Sequence, residues 1–101
     1  LKYQDRINEI NNAHPFASQV RIFQKADRVV VTFPEIHPDT GTITFYRPSD
    51  IQLDRVYDIK PDSLWIMNFP ESEFGKGKYY VKIFWKEDDK GYYVEKPFYF
   101  N

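Results

Sequence analysis

The chain has 101 residues, with 14 lysines and arginines against 15 acids, so at a net charge of −1 it has no field to hold a polyanion by counterion release. Cysteine is absent, which excludes a disulfide framework, thiolate metal sites and cysteine nucleophiles. One domain with one core is expected at this length, and an aromatic content of 19% favours pleated, half-buried strands.

Leu1 to Ala13 (LKYQDRINEINNA) places Tyr3, Ile7 and Ile10 on one narrow apolar stripe, which predicts a short helix. Asn11 and Asn12 followed by His14 and Pro15 predict its end, because the residue before a proline is pushed out of helical geometry. Residues 1–14 therefore read as a helical neck and residues 17–101 as a β domain.

Past Ala17 the period changes to two. Val20 and Ile22 alternate with Arg21, and Val29, Val31 and Phe33 alternate with Val30 and Thr32, which predicts a hairpin turning at Ala26–Arg28. Ile43 with Phe45, then Gln52 to Ile59, then Leu64 to Phe69, predict three further strands. In Lys78 to Lys86, Tyr79, Val81, Ile83 and Trp85 share the face assigned to the core, with Phe45, while Tyr80, Lys82, Phe84 and Lys86 share the other. The acidic turn Glu87–Gly91, with Gly91 expected at positive φ, leads into a last strand, Tyr92 to Phe100. About seven short strands after one short helix describe an all-β, immunoglobulin-like sandwich, with a small barrel as the structural alternative.

The chemical inventory is thin. His14 and His37 each precede a proline in a predicted connection, and Ser18, Ser49, Ser63 and Ser72 lack a nucleophile elbow. Glu71 with Glu73, Asp88 with Asp89, and Asp50, Asp54 and Asp58 read as solvated turn acids rather than a catalytic pair. Gly75 and Gly77 precede a strand rather than a helix, so they are turn glycines and not a phosphate loop. Met67, His14 and His37 have no metal-ligand spacing. The expectation is a domain with no catalytic residue, cofactor or metal site.

One cluster stands out: Thr44 to Asp54 carries Tyr46, Arg47, Pro48, Ser49 and Asp50 and returns to an acid at Asp54. Pro48 sets φ for a turn, Ser49 and Asp50 suit local amide bonds, and Arg47 is expected to fork onto Asp54. These residues are the candidate partner surface. Two other classes remain open: a carbohydrate- or protein-binding module with Tyr80, Phe84 and Tyr92 as a sugar-stacking platform, and a copper-handling domain.

The helical lead-in Tyr3–Ala13, the Phe33-Pro34 strand end, Gly41 to Asp50 with Leu53-Asp54, and Gly77-Lys78-Tyr79 leading to Trp85 and Tyr93 resemble FixH-like proteins. The Phe-Tyr-Arg-Pro-Ser-Asp run with its Leu-Asp is the specific part. The resemblance implies a membrane span before Leu1, a helical neck and a sandwich facing the periplasm from the inner membrane. It also implies a role in assembly or maturation of a cbb-type haem-copper cytochrome oxidase. The partners implied are oxidase subunits, a copper-transporting ATPase and an iron-sulfur membrane protein.

Overall fold

A computed structural model describes residues 2–101, so the Leu1 end of the expected helix lies outside the described residues. Helix α1 spans Lys2–Ala13 and tightens into a 3-10 turn, His14–Gln19, whose first turn holds Pro15, a ring that fixes a helical φ and needs no donor there. The strands are β1 Arg21–Lys25, β2 Arg28–Thr32, β3 Thr40–Tyr46, β4 Arg55–Asp58, β5 Ile66–Pro70, β6 Gly77–Glu87 and β7 Lys90–Phe100. They form two antiparallel sheets, one ordered β1-β2-β5 and the other β4-β3-β6-β7. Seven strands in three-on-four layers, with chain crossing between layers from β2 to β3, β4 to β5 and β5 to β6, make an immunoglobulin-like sandwich.

Alternation places the core. Ile43 and Phe45 of β3, Tyr79, Val81, Ile83 and Trp85 of β6, and Val94, Phe98 and Phe100 of β7 point inward and are buried. They meet Val29, Val31 and Phe69 of the opposite sheet. The centre is aromatic: Phe45 lies edge-on to Phe69, Phe74 and Tyr79, with centroids 5.2, 4.9 and 6.5 Å away. Val30, on the opposite face of β2 from Val29 and Val31, is also buried.

Several local expectations change in the folded chain. The turn between β6 and β7 is made by Asp88 and Asp89 at φ 52° and 63°, and Gly91 sits inside the ladder opposite Lys86. Short acidic side chains tolerate the left-handed region, so the reversal does not need Gly91. What Gly91 supplies is clearance, since a Cβ there would stand 3.0 Å from Glu9 Cγ of α1. The segment from Gln52 to Ile59 is a strand only from Arg55, because Asp50 caps a 3-10 turn over Ile51–Leu53.

The helix does not dock by its apolar stripe: Tyr3 is 78% and Ile10 46% exposed. Instead Ala13 is buried, Asn12 Nδ2 donates to the Gly91 carbonyl at 2.8 Å, and the Arg6 guanidinium lies 3.7 Å from the Tyr93 ring centroid.

Main-chain parity fixes which groups face the sheet margins. The Gly91 carbonyl takes Asn12, and the Gln24 side chain bonds both main-chain groups of Asn101, at 3.1 and 2.7 Å. Alternate residues of an antiparallel strand point their main-chain groups to the same side, so the odd-numbered residues of β7 face its free margin. Asn12 covers one end, Gln24 the other, and Pro97 removes a donor between them. On β5, the Asp62 carboxylate accepts from Ile66 N–H at 3.0 Å, Asp62 N–H donates to the Ile66 carbonyl at 2.9 Å, and Pro70 has no N–H. These are the devices by which sheets avoid pairing with other chains. The β1–β7 seam has one more link, because the Lys96 ammonium donates to the Ala17 and Val20 carbonyls at 2.5 and 2.6 Å. Burial there pushes the Lys96 pKa down.

Candidate functional site

Tyr46 ends β3, and Arg47 turns away from it into the loop before β4. Arg47 N–H donates to Asp54 Oδ1 at 2.7 Å, so the returning acid closes the loop on the main chain. Asp50 Oδ1 accepts from Gln52 N–H at 3.1 Å and caps the intervening turn. The expected fork of the Arg47 guanidinium onto Asp54 is therefore not formed: the carboxylate is taken by a main-chain amide, and the guanidinium reaches the other way.

Two of its three acceptors lie on the connection between β5 and β6. Arg47 Nη1 donates to the Gly75 carbonyl at 2.9 Å, Nη2 to the Lys76 carbonyl, and Nε to Ser49 Oγ at 3.0 Å. Beneath it the Tyr79 ring centroid lies 5.0 Å from the guanidinium carbon, and the Tyr79 hydroxyl accepts from Gly75 N–H at 2.9 Å. Arg47 thus ties together two loops at one end of the sandwich through charge-assisted bonds to carbonyls, each contributing about 1.5–3 kcal/mol. The two glycines make room for it. A Cβ at Gly75 would stand 3.1 Å from Nη1, and one at Gly77, where φ is +127°, would stand 2.7 Å from Nη2.

The Arg-Pro-Ser-Asp run and the Gly-Lys-Tyr run, far apart in sequence, are thus two halves of one latch. Pro48, Ser49, Asp50 and the 69%-exposed Ile51 are its outward rim. Sequence reasoning missed the acceptors because main-chain carbonyls have no residue signature. The available signal was the pair Gly75 and Gly77 directly before an aromatic strand.

Other acids also serve main-chain amides. Glu87 accepts from His37 N–H at 2.6 Å, Asp39 from Asp88 N–H at 3.1 Å and Asp62 from Leu64 N–H at 2.8 Å. Glu73 accepts instead from the Tyr57 hydroxyl at 2.6 Å. Among the described residues, no group of three or more His, Cys, Asp and Glu stands together as a metal cage. His14 opens the 3-10 turn, Met67 is half-buried in β5, and His37 is exposed and edge-on to Trp65 at 5.4 Å. Nor do Tyr80, Phe84 and Tyr92 make one platform. Tyr92 faces inward and stacks on Trp85 at 5.0 Å and 8°, because the β7 register gives it the core-facing parity.

The family model for FixH matches residues 1–99, covering the neck, the latch and, but for Phe100 at the end of β7, all seven strands. The chain belongs to the FixH family. No curated protein and no solved structure matches it. FixH is not a known enzyme family, and its members are typically associated with membranes. In this FixH chain, no helix among the described residues is long and apolar enough to cross one. The Arg47 latch brings the specific part of the resemblance, Phe45 to Asp50 with Asp54, against the Gly77 to Tyr79 segment, which by itself is a weak signal.

Proposed function

We propose that this chain is the non-enzymatic, periplasm-facing domain of a protein anchored in the inner membrane, and that it assists assembly or maturation of a cbb-type cytochrome oxidase. The observation that carries this reading is the FixH match over residues 1–99, which takes in neck and sandwich as one unit. Its partners are oxidase subunits, a copper-transporting ATPase and an iron-sulfur membrane protein, met by docking. The domain supplies surface rather than chemistry: its most specific motif is spent on an internal latch, and many of its turn acids on main-chain amides. An anchor confines both partners to one membrane, which raises effective concentration enough for a small, weak interface to suffice.

The test is a deletion strain, read by haem spectra and oxygen uptake at low oxygen. Mature cbb-type oxidase is lost, the full-length gene restores it, and the exported sandwich alone restores little. Untouched oxidase activity and copper loading in the deletion strain overturn the assembly role. Full rescue by the untethered domain refutes the part given to the anchor.

A further inference from the structure

Resting on the reading above that the domain works beside a membrane, we propose that the outer face of the four-stranded sheet is a docking surface for anionic phospholipid headgroups. Alternation along β6 turns Lys78, Tyr80, Lys82 and Phe84 outward. The register sets Tyr46 and Pro97 on either side of Tyr80, and Tyr99 beside Lys78. Basic groups and rings are interleaved here. Lys82 Nζ lies 4.4 Å from the Tyr46 centroid, and Lys78 Nζ lies 4.7 and 5.6 Å from the Tyr80 and Tyr99 centroids. Arg6 extends the same pattern over Tyr93 and Phe84.

Among the described residues neither lysine has an acid within ion-pair distance, although Glu95 and Asp58 stand on the same face. Arg6 with Glu9 is the one ion pair among the described residues. Glu95, which faces Lys82 across the register, accepts instead from the Tyr93 hydroxyl at 2.6 Å. Each ammonium leans on a ring, so an arriving phosphate meets a cation already held at the surface, and less side-chain freedom is lost on binding.

The geometry favours a lipid over a peptide. A peptide is usually taken up by strand addition at an edge or by a groove. The margins of β7 and β5 are covered by Asn12, Gln24, Asp62 and prolines, and β4 is only 4 residues long. The outer face is a sheet surface about 14 Å across its four strands, edged by Val56 and Tyr99, which are 63% and 60% exposed. Tyrosine, with an apolar ring and a polar tip, and lysine, with a long stem and a charged head, are side chains suited to the headgroup layer.

The test is co-sedimentation of the 101-residue chain with phosphatidylglycerol or phosphatidylcholine vesicles at low and high salt. Binding is expected to phosphatidylglycerol only and to weaken as salt rises. Reversing Lys78→Glu and Lys82→Glu together lowers the partition at least about tenfold. The same reversal at Lys25 and Arg28, paired with each other on the three-stranded sheet, leaves most of it. Circular dichroism checks that each variant is folded. Equal binding to both lipids, or equal loss from both double reversals, overturns the proposal. So does binding of a glutamate-rich peptide to Lys78 and Lys82 without vesicle binding, which makes the face a site for an acidic protein. Because the assay contains no oxidase, its failure leaves the assembly role standing, and an unaffected deletion strain leaves lipid binding standing.

Discussion

The Arg47 guanidinium occupies the space that a side chain at position 77 would fill, since a Cβ on Gly77 would stand 2.7 Å from Nη2. Gly77→Ala therefore meets two costs: a φ of +127°, and expulsion of a side chain bonded to the Gly75 and Lys76 carbonyls. Arg47→Ala relieves only the second. A double-mutant cycle read by urea unfolding is expected to show coupling of about 0.5–3 kcal/mol between these positions. Strict additivity would mean that the latch contributes nothing. Arg47→Lys is expected to behave more like the alanine variant than like the wild type, because an ammonium cannot reproduce the planar fork.

Arg47 and Asp54 are expected to couple less than Arg47 and Gly77. Asp54 receives the Arg47 main-chain N–H, which Arg47→Ala retains. Asp54→Ala leaves that donor without its partner and costs about 1–3 kcal/mol in either background. A coupling larger than that of the Arg47–Gly77 cycle would restore the ion pair that this structure lacks.

Trp85 is 1% exposed and stacked on Tyr92. Its truncation to alanine is expected to cost about 3–5 kcal/mol, a large share of the roughly 5–15 kcal/mol that holds a domain of this size. A loss under about 1 kcal/mol, the size of ordinary surface effects, would place the indole outside the core.

What could be read from the sequence follows from range. Alternation in β6 is a local property, and so Tyr79, Val81, Ile83 and Trp85 could be assigned to one face from the run Lys78 to Lys86 alone. The latch is not local: Arg47 chooses between a carboxylate 7 residues away and carbonyls 28 and 29 residues away, and only the packed sandwich brings the latter within reach. The helix could be read from its apolar stripe, but its seating is again not local: an alanine, an asparagine and the missing side chain of Gly91 set how closely it approaches β7. Trp65 at φ 63° has no sequence signal, since bulky aromatic residues rarely adopt that geometry.

Gly91→Ala is expected to loosen α1 without unfolding the sandwich. The added methyl would stand 3.0 Å from Glu9 Cγ, and the helix buries only Ala13, so detachment is cheap relative to the core. Amide exchange should accelerate within Lys2–Ala13 while that of β6 stays slow. Equal acceleration in both would mean that helix and sandwich unfold as one unit.

The Tyr57 and Tyr93 phenols are held above their ordinary value of about 10, first by burial and then by hydrogen bonds to Glu73 and Glu95. The folded state thus keeps protons that the unfolded chain releases. Their contribution is fully present below about pH 10 and is lost as pH rises through the folded values. Tyr57→Phe is expected to flatten the fall in stability above that pH and to remove one late step from the phenolate absorbance titration. An unchanged titration would show that Tyr57 ionises freely.

The covered margins of β7 and β5 bear on how copies of this domain behave when crowded. Strands that offer a long run of open amides template one another into fibres. Here an asparagine, a glutamine, an aspartate and two prolines interrupt those runs. Neighbouring copies that meet at these two margins can collide and separate without locking edge to edge, leaving such encounters to be sorted by side-chain chemistry.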